Sequence, residues 1–134
     1  MAPISEGIAT IGAIAITLAG AFPLVYFITK VFSKPLLKLG GLLGMNDKAA
    51  AGMIATLANN IPMFGLLKEM DNRGKILNVA FAVSGAFVFG DHLGFIAGVD
   101  KTMIFPMVVG KLVGGISAVI LAMIMFGKVS EEKK

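Results

Sequence analysis

Apolar residues fall along the chain in four long stretches, and short charged or polar segments separate them. Residues 8–32 read IATIGAIAITLAGAFPLVYFITKVF, with no charge before Lys30. About 25 residues at 1.5 Å rise make a helix of roughly 37 Å, long enough to cross a hydrocarbon core of about 30 Å with some tilt. Pro23 predicts a kink in this helix, and Tyr26 and Lys30 suit its interfacial end. The following SKPLLKLGGLLGMNDK contains Pro35, Gly40, Gly41 and Gly44, which argue for a short interfacial piece rather than one long helix. Further apolar stretches fill 49–70, 76–98 and 102–127, joined by the polar turn KEMDNRGK and the tight link Val99-Asp100-Lys101. KVSEEKK, at 128–134, reads as a solvated, frayed tail. No soluble domain, linker or internal repeat stands out.

Composition narrows the class. The chain of 134 residues is 57% hydrophobic and only 15% charged, against about 45–50% and about 25% in soluble domains. With the four apolar stretches, this predicts an all-α integral membrane protein lying in a lipid bilayer. The net charge of +4 lacks the basic stripe with interleaved aromatics that nucleic-acid binding needs, so that class is set aside. The absence of cysteine excludes disulfides, thiol catalysis and a cysteine metal site. One histidine and few clustered carboxylates predict no metal centre, and nothing calls for a cofactor. The first residues, MAPISE, carry no Lys or Arg, so they do not form a secretory signal.

Charge placement changes the reading of the second stretch. If all four stretches cross, six Lys and Arg lie on one side and five on the other, which sets no orientation. If 49–70 enters and leaves on one face, ten lie on that side and only Lys101 opposes them. The stretch itself contains ANNIPMFG, residues 58–65. Pro62 cannot donate an N–H and biases Ile61 away from helical geometry, while Asn59 and Asn60 tolerate turns and can bond freed backbone groups. Each arm is about 8–10 residues, or roughly 12–15 Å, which reaches half way across. The expected architecture is therefore three transmembrane helices, 8–32, 76–98 and 102–127, plus a re-entrant helical hairpin at 49–70. A Pro-interrupted spanning helix is the alternative for the last element. The N-terminus faces outside and the C-terminus faces the cytoplasm.

Ionisable groups within apolar helices mark functional sites. The third stretch contains Phe89-Gly90-Asp91-His92-Leu93-Gly94-Phe95, and the fourth contains Lys111. Asp91, with His92, is the candidate for holding a polar or cationic solute. Two structural readings compete: Asp91 caps a second half-helix after a break at Gly90, or Asp91 and Lys111 neutralise each other at similar depth. Lys111 reads as a structural ion-pair partner or a snorkelling residue. Gly90, Gly94 and Gly98 repeat every four residues, and Gly110 and Gly114 answer them across a close helix contact. Gly90-Asp91 shares two residues with the motif of intramembrane aspartyl proteases. The chain has Val88 where that motif has a further glycine, and Asp47, Asp71 and Asp100 all lie in links, so no second membrane aspartate completes a dyad. No catalytic residue is assigned and the chain does not read as an enzyme.

The run AAAGMIATLANNIPMFGLLKEMDNRGKILNVAFAVSGAFVFGDHLGFIAG, followed by MIFPMVVGKLVGGISA, closely resembles the ethanolamine utilisation permease family, EutH. LANNIPMFG and FGDHLGF carry most of the specificity. The resemblance implies a multi-pass protein of the bacterial cytoplasmic (inner) membrane that mediates ethanolamine uptake for ethanolamine utilisation. It covers almost the whole chain but only the C-terminal part of the longer family members. It thus implies missing N-terminal transporter helices as partners, including a counterpart of the 49–70 element. The site then lies between two such elements, as in repeat-built transporters. Ethanolamine is a small hydroxyl-bearing ammonium ion at neutral pH, so Asp91 suits its charge and Asn59 and Asn60 its hydroxyl. The contrasting expectation is a small helical membrane subunit or inactive transporter fragment. Self-association as a homo-oligomer is left open.

Overall fold

The computed structural model describes residues 3–31 and 33–131, and among them every regular element is helical. The helices are α1 (Ile4–Val31), α2 (Ser33–Leu42), α3 (Asp47–Thr56), α4 (Asn60–Leu66), α5 (Asn72–Gly85), α6 (Asp91–Val99) and α7 (Ile104–Glu131). Single 3-10 turns, Leu67–Glu69 and Lys101–Met103, follow α4 and precede α7. The expected helix 8–32 is α1, with Pro23 inside it. Phe32, its expected end, and the side chain of Tyr26 lie outside the described residues. The expected helix 102–127 is α7, which continues to Glu131 because Lys128–Glu131 contains neither Gly nor Pro to stop it. The first four residues of the expected tail are therefore helical, and 132–134 lie outside the described residues.

Local chemistry sets most helix ends. α2 stops at a glycine cap: Gly44 takes φ +68°, Met45 N–H donates to the Gly40 carbonyl at 3.1 Å and Gly44 N–H to Gly41 at 3.0 Å. Asn46 caps α3 by accepting from Ala49 N–H at 2.9 Å, and Asp71 caps α5 by accepting from Gly74 N–H at 3.3 Å. In the link to α7, Asp100 accepts from Thr102 N–H and Oγ1–H at 2.9 and 2.6 Å, and these bonds hold its carboxyl below the ordinary carboxylate range.

The 49–70 stretch folds back on itself. Asn46 N–H donates to Asp71 Oδ1 at 2.9 Å, Asn46 Nδ2 donates to the Glu69 carbonyl at 3.0 Å, and Lys48 pairs with Glu69 at 2.9 Å. Its entrance and exit are thus side by side. Between them α3 leads away and α4 returns, with Met63 Cγ 3.3 Å from where a Cβ on Gly52 would stand. The fold-back is not made by Pro62 disturbing Ile61. Ile61 is helical, and Pro62 stands in the first turn of α4, where a missing N–H removes no helical bond. Asn59 makes the break, with extended backbone and its Oδ1 accepting from Ile61 N–H at 2.8 Å.

The expected single helix 76–98 is instead two helices, α5 and α6, separated by non-helical residues 86–90. α5 rises parallel to α3: Asn78 Nδ2 donates to the Ala49 carbonyl at 2.9 Å near its start, and Phe87 N–H to the Thr56 carbonyl at 3.0 Å just beyond its end. α7 descends antiparallel to α5, with Ser84 Oγ–H donating to the Lys111 carbonyl at 3.2 Å and the Arg73 guanidinium 5.8 Å from the Phe126 ring centre. α1 packs on α6, and α2 on α3. Met45, Ala49, Met63, Leu77, Phe81 and Val119 form the core where α3, α4, α5 and α7 meet. The outer face of α7 bares Val109, Val113, Ile116, Ile120 and Ile124. Lys101–Phe126 is a stretch long and apolar enough to cross a membrane.

Candidate functional site

The two breaks meet. Leu57–Asn59 separates α3 from α4, and Ala86–Gly90 separates α5 from α6. The carbonyls left free at the end of α3 are taken by the second break: Phe87 N–H donates to Thr56 at 3.0 Å and Phe89 N–H to Leu57 at 2.9 Å. Gly90 approaches so closely that a Cβ there would run into the Ala58 carbonyl oxygen, a position only glycine fills. Phe87 is held at φ +60°, the left-handed region that a bulky residue rarely enters.

This crossing gathers the residues chosen from the sequence. Asn59 and Asn60 follow Ala58 directly, and Asp91 and His92 follow Gly90 directly, so all four lie within two residues of one backbone contact. Asn59 and Asn60 are half-buried, and Asp91 and His92 are exposed. A second half-helix does start at Asp91, but Gly90 holds the cap position and no side chain caps it, so Asp91 is its first residue and not its cap. The His92 ring lies 5.4 Å from the Phe87 ring at a 48° tilt, which fixes the imidazole beside the break.

The Asp91–Lys111 ion pair does not form among the described residues. Lys111 is level with Ser84, below the break, and residues 86–90 carry Asp91 out of its register. The expected glycine contact is also rearranged. Gly114 meets Ser84 and Gly115 meets Phe81, both on α5, while Gly90 meets Ala58; α6 packs chiefly on α1.

Two further features of this region escaped sequence reasoning. Thr56 is fully buried and its Oγ1 has no hydrogen-bond partner, and the Oδ1 of Asn60 is buried and unpartnered too. A buried oxygen without a donor costs about 1–3 kcal/mol. A threonine within AAAGMIATL gives no sign of this, since its partner groups come from elsewhere in the chain. Phe87 looked like an ordinary apolar helix residue, and only its φ marks it. A cavity of about 440 Å³ lies elsewhere, between α2–α3 and α7; Leu43, Met53, Ile54, Leu112, Ile116 and Ile120 are among its lining residues. Its lining is apolar, so it has nothing to orient an amino alcohol.

Residues 1–125 match the family described as ethanolamine utilisation protein, EutH. The chain belongs to this family. It is 66% identical, over its whole length, to the probable ethanolamine permease EutH of Listeria monocytogenes serotype 1/2a (strain 10403S), covering 36% of that protein. It is 56% identical over 125 residues to the proteins of the same name from Escherichia coli (strain K12) and Salmonella typhimurium (strain LT2), covering 93% of this chain and 31% of each relative. The chain thus spans about a third of the length of these relatives. No solved structure matches it. The relatives' names are those of transporters, not enzymes, and with the apolar α7 they mark a membrane protein.

Proposed function

We propose that the chain forms part of an ethanolamine permease of the bacterial cytoplasmic membrane, and that the crossing of its two helix breaks is one side of the transport site. The observation that carries this is the contact of Gly90 with the Ala58 carbonyl, which brings two amides, a carboxylate and an imidazole together. Non-helical backbone at membrane depth persists only inside protein or beside a watery cavity, and broken helices build transporter sites near the midplane. Asp91 is exposed at the start of α6, available to pair with the solute's ammonium group. Asn59 uses its oxygen as a cap, so its amide N–H groups, with those of Asn60, remain to donate to the hydroxyl oxygen. His92, steadied by Phe87, borders the same space. Lys111 has a structural role on α7.

In this reading 49–70 is re-entrant, and α1, α5–α6 and α7 cross. The hydrogen bonds joining 46–48 to 69–71, and the approach of Arg73 to Phe126, support it. They place the links rich in Lys and Arg at one end, the arrangement that the ten-to-one charge count favours. The C-terminus is then cytoplasmic. Single cysteines at Ser5 and Asp100 should label from outside, and those at Asn46 and Asn72 only from inside; outside labelling at Asn72 overturns the re-entrant topology.

Uptake of labelled ethanolamine tests the function. Cells expressing the chain together with the remaining segments of the permease should take it up, and Asp91→Asn should cut uptake by about 10-fold or more with membrane insertion intact. Normal uptake by Asp91→Asn removes the site. A second reading, a helical membrane subunit that does not itself transport, is favoured by the chain's coverage of about a third of its relatives. It predicts no change in uptake when the chain is added.

A further inference from the structure

Between the end of α3 and the start of α4 lie buried oxygens that the solute site does not account for. Thr56 Oγ1 and Asn60 Oδ1 are buried and unpartnered. Midway between them in sequence is the Ala58 carbonyl, against which Gly90 packs. In an unbroken helix residue 62 would donate to that carbonyl, and Pro62 has no N–H to give. The neighbouring carbonyls are taken: Ala55 accepts from Ala58 and Asn59, Thr56 from Phe87, and Leu57 from Phe89. Lys111 does not serve the two side-chain oxygens, which bond to nothing. A third unpartnered oxygen, Asn78 Oδ1, sits lower, 3.0 Å from a Cβ position on Gly52. The amide nitrogen of Asn78 bonds the Ala49 and Gly74 carbonyls, so it belongs to the α3–α5 interface.

The three oxygens are hard and uncharged; Thr56 and Ala58 stand at the negative end of the α3 dipole, and Asn60 opens the short α4. That set repels anions. It lacks the carboxylates by which proteins hold divalent ions. It suits a small monovalent cation stripped of water, and carbonyls at the ends of broken helices coordinate sodium in transporters. We propose that Thr56 Oγ1, the Ala58 carbonyl and Asn60 Oδ1 bind a sodium ion. Its role as the ion coupled to uptake rests on the permease reading; the binding does not.

Melting the chain in detergent micelles at constant ionic strength, without ethanolamine, tests the site. Sodium chloride should raise the unfolding midpoint by a few degrees over choline chloride. Thr56→Val should abolish the shift while still melting cooperatively in choline, and Thr56→Ser, which keeps the hydroxyl, should retain it. Equal midpoints in both salts, or a sodium shift that survives Thr56→Val, overturn the site. A shift given by ethanolammonium chloride but not by sodium also overturns it, assigns the oxygens to the solute, and leaves the permease reading standing. With the remaining permease segments present, ethanolamine uptake that is unchanged in choline medium overturns the coupling role.

Discussion

At the lower end of α3, Asn46, Lys48, Glu69, Asp71 and Arg73 bond one another or nearby carbonyls; at its upper end, the side chains of Thr56, Asn60, Asp91 and His92 make no hydrogen bond among the described residues. The lower group is a clamp. It caps α3 and α5, closes the hairpin, and ties Arg73 to the end of α2 through the Leu43 carbonyl at 2.7 Å. The upper group is held in place mainly by backbone, through Phe87 and Phe89 N–H and the close approach of Gly90, with the Phe87 ring beside His92. The difference teaches what each end is for. Polar side chains satisfied by each other can take up no solute, whereas side chains left unsatisfied at a rigid backbone crossing are ready for one.

Three substitutions probe this contrast. Gly90→Ala should have the largest effect, because its Cβ would strike the Ala58 carbonyl and push the breaks apart. A destabilisation of about 1–3 kcal/mol, the usual cost of overpacking, should appear in denaturant or thermal melts, together with loss of ethanolamine uptake. Unchanged stability would mean that the crossing is not rigid. Asn78→Ala should rank next. It removes the 2.9 Å bond from α5 to the Ala49 carbonyl of α3 and a second of 2.9 Å to the Gly74 carbonyl within α5, and loss of about 1–2 kcal/mol is expected with uptake less affected than by Asp91→Asn. Lys48→Ala should be the mildest. The Lys48–Glu69 pair is about half exposed on both sides (53% and 56%), so at most about 1 kcal/mol is expected, and less in high salt. A larger effect there would show that the hairpin depends on this one pair rather than on the Asn46–Asp71 hydrogen bonds.

Part of the lower end was legible in the sequence. The lysine and arginine count favoured a 49–70 stretch that enters and leaves on one face, whereas the caps Asn46 and Asp71 were not singled out, although each stands just before an apolar helix where short polar side chains cap. ANNIPMFG announced a break, although Asn59 rather than Pro62 makes it. The break at 86–90 was less legible. Gly85-Ala86-Phe87-Val88-Phe89-Gly90 is apolar, and Asp91 alone hinted at a helix start there. The Asp91–Lys111 pairing failed for the same reason, because depth along one straight helix no longer applies after a five-residue break.

By itself the sequence determined the all-helical class, the four apolar stretches and the charge asymmetry, since each depends on side chains a few residues apart. Only the tertiary structure decided that the third stretch breaks, that its break lies on the first one, and that Thr56 and Asn60 are left without partners. The physical reason is that a helix gives up its own hydrogen bonds only where another part of the chain replaces them. Here the replacements, the Thr56 and Leu57 carbonyls, come from a different helix, and no window along the sequence contains both halves of the exchange.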